Sequence, residues 1–470
     1  MAIITASGVN INWGTDEDDY IVCEGGDITI FSFSPSDDYE SYVTSDSILP
    51  SGNDTVIGGE GNDLILCGKG NDSIFGGGSH EYIIPGAGNN TIDGGEGIDF
   101  LVYKHDKRNI SVTPSISGSY YVYFNGIRGD LVSNIEEIHF GSGNDKFNGN
   151  SADNVISSLN GGSDTIIGEA GNDSYSFDGN GKFNFNGGSG SDALLIDSAG
   201  QYILDLKSAK LIKDGNQLGS FKGVETFLFR MEHTSTIIKN DSLSGVNFFF
   251  TLEGDDIYYA GSGVNYFDAS WYTGAEDTDT LSFNHSSRSL AIDLAVDNST
   301  YEMISWGNTE QYFRGVERIV GSKGNDSITI SVAGYSVDGD KGIDTIRGGL
   351  FSDTINGGLG RDSLSGGSGA DVFIFNTVLG PKNIDTIEDF STDDVIKLDS
   401  EIFTKLSTLS WQINNFRVGG QAIDLDDYII YDNASGKLYY DIDASGAGAM
   451  QQFAQLTGNP TLSFNNINVI

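Results

Sequence analysis

A nine-residue unit repeats along this chain and restricts the fold more than any other feature. Nine residues allow one tight loop and one very short strand before the pattern starts again. The unit reads Gly-Gly-x-Gly-x-Asp-x-U-x, with U apolar. After a loop ending in Asp54 it appears as Gly58-Gly59-Glu60-Gly61-Asn62-Asp63-Leu64-Ile65-Leu66 and again as Cys67-Gly68-Lys69-Gly70-Asn71-Asp72-Ser73-Ile74-Phe75. Two degraded copies follow, with Glu81 and Asn90 at the Asp place, before Gly94-Gly95-Glu96-Gly97-Ile98-Asp99 restores the pattern. The clearest run is six nonads from Gly321 to Ile374, with apolar places at Ile328, Val337, Ile346, Ile355, Leu364 and Phe373. A less regular tract covers residues 140–195, and the weakest touches Asp256 and Asp279.

The residue types dictate what one nonad can do. Glycine enters positive-φ conformations without a Cβ penalty, so the Gly-rich half suits a tight loop. Its aspartate is a hard oxygen ligand and its carbonyls are accessible, a donor set that suits Ca²⁺. The x-U-x remainder is long enough for a short strand with one side chain inward. The residues read as metal ligands in the first tract are Asp54, Gly59, Gly61, Asp63, Gly68, Gly70, Asp72, Gly95, Gly97 and Asp99. In the second tract they are Asp145, Asp164, Asp173 and Asp192. In the regular run they are Asp326, Gly342, Asp344, Asp353, Gly358, Gly360, Asp362, Gly367, Gly369 and Asp371. Where the aspartate is replaced, at Glu81, Asn90, Asn154, Phe183 and Asn265, a weak site or none is expected. An Asx-turn formed without metal is the plainer alternative at every such loop.

These nonads resemble the RTX, hemolysin-type calcium-binding repeat. The resemblance implies an all-β chain: a right-handed parallel β-roll or β-helix solenoid, two nonads per coil, with several calcium ions held in the loops. It also implies export by type I secretion through an uncleaved C-terminal signal, so that the exporter is a partner and the protein is extracellular or associated with the cell surface.

Composition agrees with a cation requirement. The 67 acidic residues against 25 Lys and Arg give a formal charge of −42, which argues against nucleic acid as a partner. With 38% hydrophobic and 11% aromatic residues, the chain can still build a core. No run approaches a membrane span and the N-terminus shows no basic, apolar leader, so neither a transmembrane segment nor an ordinary secretory leader is expected. Cys23 and Cys67 are either two thiols or one bridge, and two cysteines are too few for a disulfide scaffold.

A longer period lies over the nonads. Ser133-Asn134-Ile135-Glu136-Glu137-Ile138, Lys222-Gly223-Val224-Glu225-Thr226-Phe227 and Arg314-Gly315-Val316-Glu317-Arg318-Ile319 are copies 89 and 92 residues apart. Alternating segments such as Tyr120–Phe124, Tyr202–Leu206 and Leu290–Leu294 precede them and read as half-buried strands. The expected organisation is an N-terminal cap with an acidic Asp16–Asp19 turn (1–48), a first roll tract plus insert (49–139), a second module (140–235), a degenerate third (236–320), the regular roll (321–374) and a C-terminal cap with the secretion signal (375–470). In that last segment Ala449, Met450, Phe453 and Ala454 are spaced for a short helix stopped by Gly458-Asn459-Pro460. Asp441-x-Asp443-x-Ser445-Gly446 looks like the start of an EF-hand loop, but its twelfth position is Gln452 rather than Glu.

Catalytic signatures are missing. His80-Glu81 lacks the second histidine of a zinc-protease helix, and no Gly-x-Ser-x-Gly elbow occurs. His80, His105, His139, His233 and His285 are scattered. Tyr120, Tyr121, Tyr123, Tyr258, Tyr259, Tyr266, Trp271 and Tyr272 could stack on sugars, although alternation favours core plus one solvated ladder. The leading expectation is a non-enzymatic structural protein, a surface-layer, filament or adhesive subunit that folds on calcium and self-assembles into sheets or filaments. The alternatives are a polysaccharide-modifying or hydrolytic enzyme with its site on the inserts, or a module binding surface glycans or ice.

Overall fold

The computed structural model describes the chain from residue 52 onward, apart from 61, 117, 159, 231–234, 241–245, 252–253, 262–263, 270–276, 295–301, 307–308, 332–333, 408–410 and 447. Before residue 52 it describes the backbone of four strands, Ile3–Ser7, Ile11–Asn12, Tyr20–Glu24 and Thr29–Phe31. The Asp16–Asp19 turn, the Cys23 side chain, Gly61, His233, Trp271 and Tyr272 lie outside the described residues. Two compact units emerge, Met1–Tyr202 with Ser208–Glu232, and Ile203–Lys207 with His233–Ile470.

Both units are built from very short parallel strands. The six regular nonads show why. Ser327–Ile330 pairs with Thr345–Arg347, and that strand with Ser363–Ser365, in a register of Ile328↔Ile346↔Leu364. The alternate nonads do the same through Val337↔Ile355↔Phe373. A partner 18 residues away means two nonads per coil, as the resemblance implied. The middle residue of each strand points inward, and Ile328, Val337, Ile346, Ile355, Leu364 and Phe373 are all buried. One inward apolar side chain per nine residues is a thin core, so the loops must contribute to stability.

In the first unit one sheet runs in parallel through Leu64–Leu66, Tyr82–Ile84, Phe100–Val102, Glu137–Phe140, Val155–Ser158, Ser174–Phe177, Ala193–Ile196 and Thr226–Phe229. The second sheet shows where the insert goes. Thr91–Gly97 continues in parallel onto Ile127–Ser133, which pairs antiparallel with Tyr120–Phe124, itself antiparallel to Ile110–Pro114. That last strand then resumes parallel pairing with Lys146–Asn148. The insert is therefore an antiparallel meander spliced into the sheet. Its Tyr120–Phe124 strand alternates buried and half-buried residues, in line with its sequence pattern.

In the second unit the roll continues beyond the last nonad. Ser363–Ser365 pairs with Asp385–Ile387, and that strand with Gln451–Leu456. Here the sequence misleads, because Phe453 and Ala454 lie in a strand and not in a helix. Gln451–Leu456 is antiparallel to Lys437–Tyr440 and buries Phe453, Ala454 and Leu456, so cross-strand packing overrides a spacing that also fits a helical turn. Gln452 is part of that strand. The preceding acidic loop closes on itself, with the N–H of Asp443 on Asp441 Oδ1 at 3.3 Å and the N–H of Gly448 on Asp443 Oδ2 at 2.9 Å, an Asx-type turn. Among the described residues the only helical turns are Ile413–Asn415 and Phe464–Asn466, both of the 3₁₀ kind.

Candidate calcium-binding ladders

The sixth place of each nonad sits at the mouth of a loop, directly before a strand, and its backbone faces the equivalent residue one coil on. In the regular run the Asp326 N–H donates to Oδ1 of Asp344 at 2.7 Å, and Asp344 N–H to Oδ1 of Asp362 at 2.8 Å. Along the other edge Tyr335 N–H donates to Asp353 and Asp353 N–H to Asp371, at 2.9 and 2.8 Å. Thus each carboxylate is held by the coil before it. The same ladder joins Asp145 to Asp164 and Asp173 to Asp192, at 2.9 and 2.8 Å. Asp54 and Asp72 form another rung at 2.8 Å, and Asp72 donates onward to Asn90 Oδ1 at 2.9 Å.

Using one oxygen in the ladder leaves the other. Oδ2 of Asp72, Asp99, Asp145, Asp173, Asp192, Asp256, Asp344 and Asp362 is buried and has no hydrogen-bond partner. Burying such an acceptor unpaired is costly, more so when it is charged. Desolvation is the largest cause that pushes these carboxyls up: Asp72 and Asp173 to about 6, Asp145 to about 7, Asp256 and Asp344 to about 8. For Asp145, Asp173 and Asp344 the charge of a ladder neighbour adds to the rise.

The orphaned oxygens share their space with backbone carbonyls, the donors a hard cation would take. In front of Gly339 the Asp344 Oδ2 and the Gly357 carbonyl both come within 3.0 Å of where a Cβ would stand. The same pairing of a carboxylate five residues on with a carbonyl of the next coil recurs at Gly94, Gly168 and Gly187. Left-handed backbone is required at Gly68, Gly95, Gly358 and Gly367. At Gly70, Gly97, Gly342, Gly360 and Gly369 the neighbouring coil's backbone occupies the Cβ position. Gly59 lies in the strand Thr55–Glu60 opposite Gly77. Among the described residues no three His, Cys, Asp or Glu side chains converge on one point, so an ion here takes most of its ligands from backbone carbonyls. Oxygen-only, carbonyl-rich sites fit Ca²⁺. Bound there, it would supply the positive charge these carboxylates lack and tie successive coils together.

Not every expected ligand is placed this way. Oδ2 of Asp326 accepts the Ser322 N–H at 2.7 Å, and Oδ2 of Asp353 accepts the Gly349 N–H at 3.0 Å. These two loops satisfy their aspartates internally, through a backbone N–H four residues earlier. The weak tract at Asp256 and Asp279 keeps the ladder at wider spacing, with rungs from Thr236 to Asp256 at 2.6 Å and from Asp256 to Asp279 at 2.9 Å. Among the degenerate positions, Asn90 and Asn154 keep the ladder, donating to Asp130 at 2.7 Å and Asp173 at 2.9 Å. Phe183 instead packs in the core on Tyr175 and Phe177, with ring centroids 5.7 and 4.9 Å apart. Asn265 faces inward in an amide row, accepting from Asn247 at 2.7 Å and donating to Gln311 at 3.2 Å.

Sequence reasoning missed the ends of the ladders. Glu136, Glu225 and Glu317, the glutamates of the longer period, accept the N–H groups of Asp99, Asp192 and Asp279 at 2.8, 3.0 and 2.9 Å. Asp385 and Asp394 extend the regular ladders past the last nonad, accepting from Asp362 and Asp371 at 3.1 and 3.0 Å. Asp130 receives the Asn90 rung and caps its second oxygen with the Tyr103 hydroxyl at 2.7 Å. The repeated glutamate was the available signal.

The aromatic residues offer few free faces. Tyr120 and Tyr258 are buried. Tyr266 is sandwiched between Phe248 and Tyr312, with centroids 4.7 and 4.5 Å away. Arg128 lies 4.0 Å over the Tyr121 ring. Cys67 is buried, and among the described residues no helix is long and apolar enough to cross a membrane.

The profile of the RTX calcium-binding nonapeptide repeat (4 copies) matches residues 51–80, 82–101, 159–179, 241–267, 313–329 and 338–373. No curated protein matches the sequence. Among solved structures the chain is similar to the extracellular lipase LipA from Serratia marcescens, 12% identical, over 52% of this chain and 41% of that one, with a TM-score of 0.20. The matched repeats coincide with the carboxylate ladders: the chain is all-β and carries nonapeptide repeats of the RTX type, which bind calcium.

Proposed function

We propose that this chain is exported by type I secretion and folds outside the cell on binding calcium, where it serves as a non-enzymatic structural subunit of a surface layer, filament or adhesive coat. The observation that carries this reading is the occurrence of the carboxylate ladders in both units, from Asp54 to Asp192 in one and from Asp256 to Asp394 in the other. The calcium-dependent scaffold thereby makes up most of the described chain.

The mechanism is charge-gated folding. Where free calcium is scarce, a chain of formal charge −42 repels itself and its Gly-rich loops gain too little from one inward side chain per nonad. At about millimolar calcium, typical for extracellular modules, ions neutralise the buried oxygens and their binding free energy becomes folding free energy. Circular dichroism and small-angle scattering of the full chain, with chelator and with calcium, test the gate. A compact β signal that chelator leaves unchanged would sink it. Electron microscopy after calcium addition tests the structural role, for which ordered sheets or filaments are expected; monodisperse particles with glycan or hydrolytic activity would replace it.

A further inference from the structure

We propose that Glu81 and Asp99, with the Gly94 carbonyl, form a calcium site at a nonad whose sequence departs from the repeat. The proposal rests on the calcium-binding reading of the regular loops and adds a full site where the sequence pattern predicts a weak one or none.

The geometry supplies the argument. Glu81 is fully buried, and both of its carboxylate oxygens are without a hydrogen-bond partner. Oε2 lies 2.9 Å from the Cβ position of Gly76, where the Gly94 carbonyl also converges. That is the place which Asp99 Oδ2 takes relative to Gly94, five residues before it, and Asp344 Oδ2 takes relative to Gly339. The extra methylene of glutamate therefore does not displace the oxygen from the cradle. Glu81 also keeps the ladder, its N–H donating to Oδ1 of Asp99 at 2.9 Å. Asp99 is itself fully buried and its Oδ2 has no partner. Two facing buried carboxyls need either a shared proton or a shared cation. A carbonyl oxygen aimed into the same space offers nothing to a proton already shared, but it is one more ligand for a hard cation.

The contrast with Asp130 sharpens the assignment. There the second oxygen is capped by the Tyr103 hydroxyl, and no ion is needed. Among the described residues no hydroxyl reaches Glu81; it faces the Asp99 carboxyl, and burial beside that charge pushes it up to about 10 in the metal-free fold.

The test counts calcium in the full-length protein refolded in calcium and freed of excess by gel filtration, using elemental analysis. Glu81→Gln is expected to carry one ion fewer per chain than the unmutated protein, and Glu81→Asp the same number. An undiminished count in a folded Glu81→Gln protein would overturn the site and leave the shared proton in its place. Because that variant can fail to fold, a second measurement uses crystals of the unmutated chain soaked in terbium. An anomalous peak in front of Gly76 is expected; peaks in front of Gly94 and Gly339 with none there would overturn the proposal. A chain that takes up no calcium at all would overturn the function proposed above, a result distinct from loss of this one site.

Discussion

Glu317 and Asp279 hold each other twice. The Asp279 N–H donates to Oε2 of Glu317 at 2.9 Å, and the Glu317 N–H returns to the Asp279 carbonyl at 3.2 Å. Both residues lie directly before strands that pair in parallel, Thr280–Ser282 and Arg318–Val320, so the bonds fix the register in which the chain rejoins the roll after a long excursion. Asp192 with Glu225 and Asp99 with Glu136 repeat the arrangement. Glu317→Ala should therefore destabilise the calcium-loaded protein by about 1–3 kcal/mol, the cost of leaving a buried amide unpaired. Glu317→Gln, which keeps the acceptor, should lose much less. Urea denaturation in saturating calcium separates the two, and equal losses would argue against the register role.

The sequence states the roll well and its ends poorly, for a physical reason. Ile328, Ile346 and Leu364 recur at a fixed period because each coil buries one side chain in the same place, so fold and inward residues could be read directly. Glu136, Glu225 and Glu317 do the work of a nonad aspartate across gaps of 37, 33 and 38 residues, and no fixed period links them to their partners. Their motif was visible while its role was not. Asn265 shows the limit of the period: its position matches, and a weak site or none was expected there, while the strand Val264–Asp268 turns it inward onto Gln311. Side-chain direction there is set by the sheet, which a loop motif does not reveal.

Asn265 accordingly gives a second prediction. If it were a decayed calcium ligand, Asn265→Asp would restore a site. In this structure the substitution removes the amide donor to Gln311 and puts a carboxylate beside the Asn247 and Tyr258 network. The calcium count should stay the same while stability falls by about 3–5 kcal/mol, the range for an uncompensated buried charge. Thermal unfolding together with elemental analysis checks both halves. A gain of one ion with unchanged melting would refute the inward placement.

The cradles predict which glycines matter. A Cβ at Gly357 would meet Oδ2 of Asp362 at 2.6 Å, whereas one at Gly380 would meet nothing within 4 Å. Gly357→Ala should cost about 1–3 kcal/mol by overpacking and should weaken calcium binding, since it fills the space in front of the carboxylate. Gly380→Ala should do neither. Calcium titration of the two variants side by side provides the comparison, and similar affinities would mean that the cradle in front of Gly357 holds no ion.

Acidity should act in opposite senses on the two forms of the protein. In the folded state without calcium Asp145, Asp256 and Asp344 are raised by burial to about 7, 8 and 8, well above the unfolded carboxylate value of about 4. A group raised on folding binds its proton more tightly in the folded state, so its stabilising contribution is complete below the unfolded value and is lost as pH rises through the folded one. Without calcium, any residual β structure should therefore be strongest near pH 4–5 and fade toward pH 8. With calcium the ion competes with those protons, because it needs the carboxylates ionised. The loaded protein should bind calcium more tightly at pH 8 than at pH 5, and the gap in stability between loaded and chelated samples should widen across that window. Melting curves at both pH values, each with calcium and with chelator, decide it. If the chelated chain were more stable at pH 8 than at pH 5, the buried carboxylates could not be the charge that calcium neutralises.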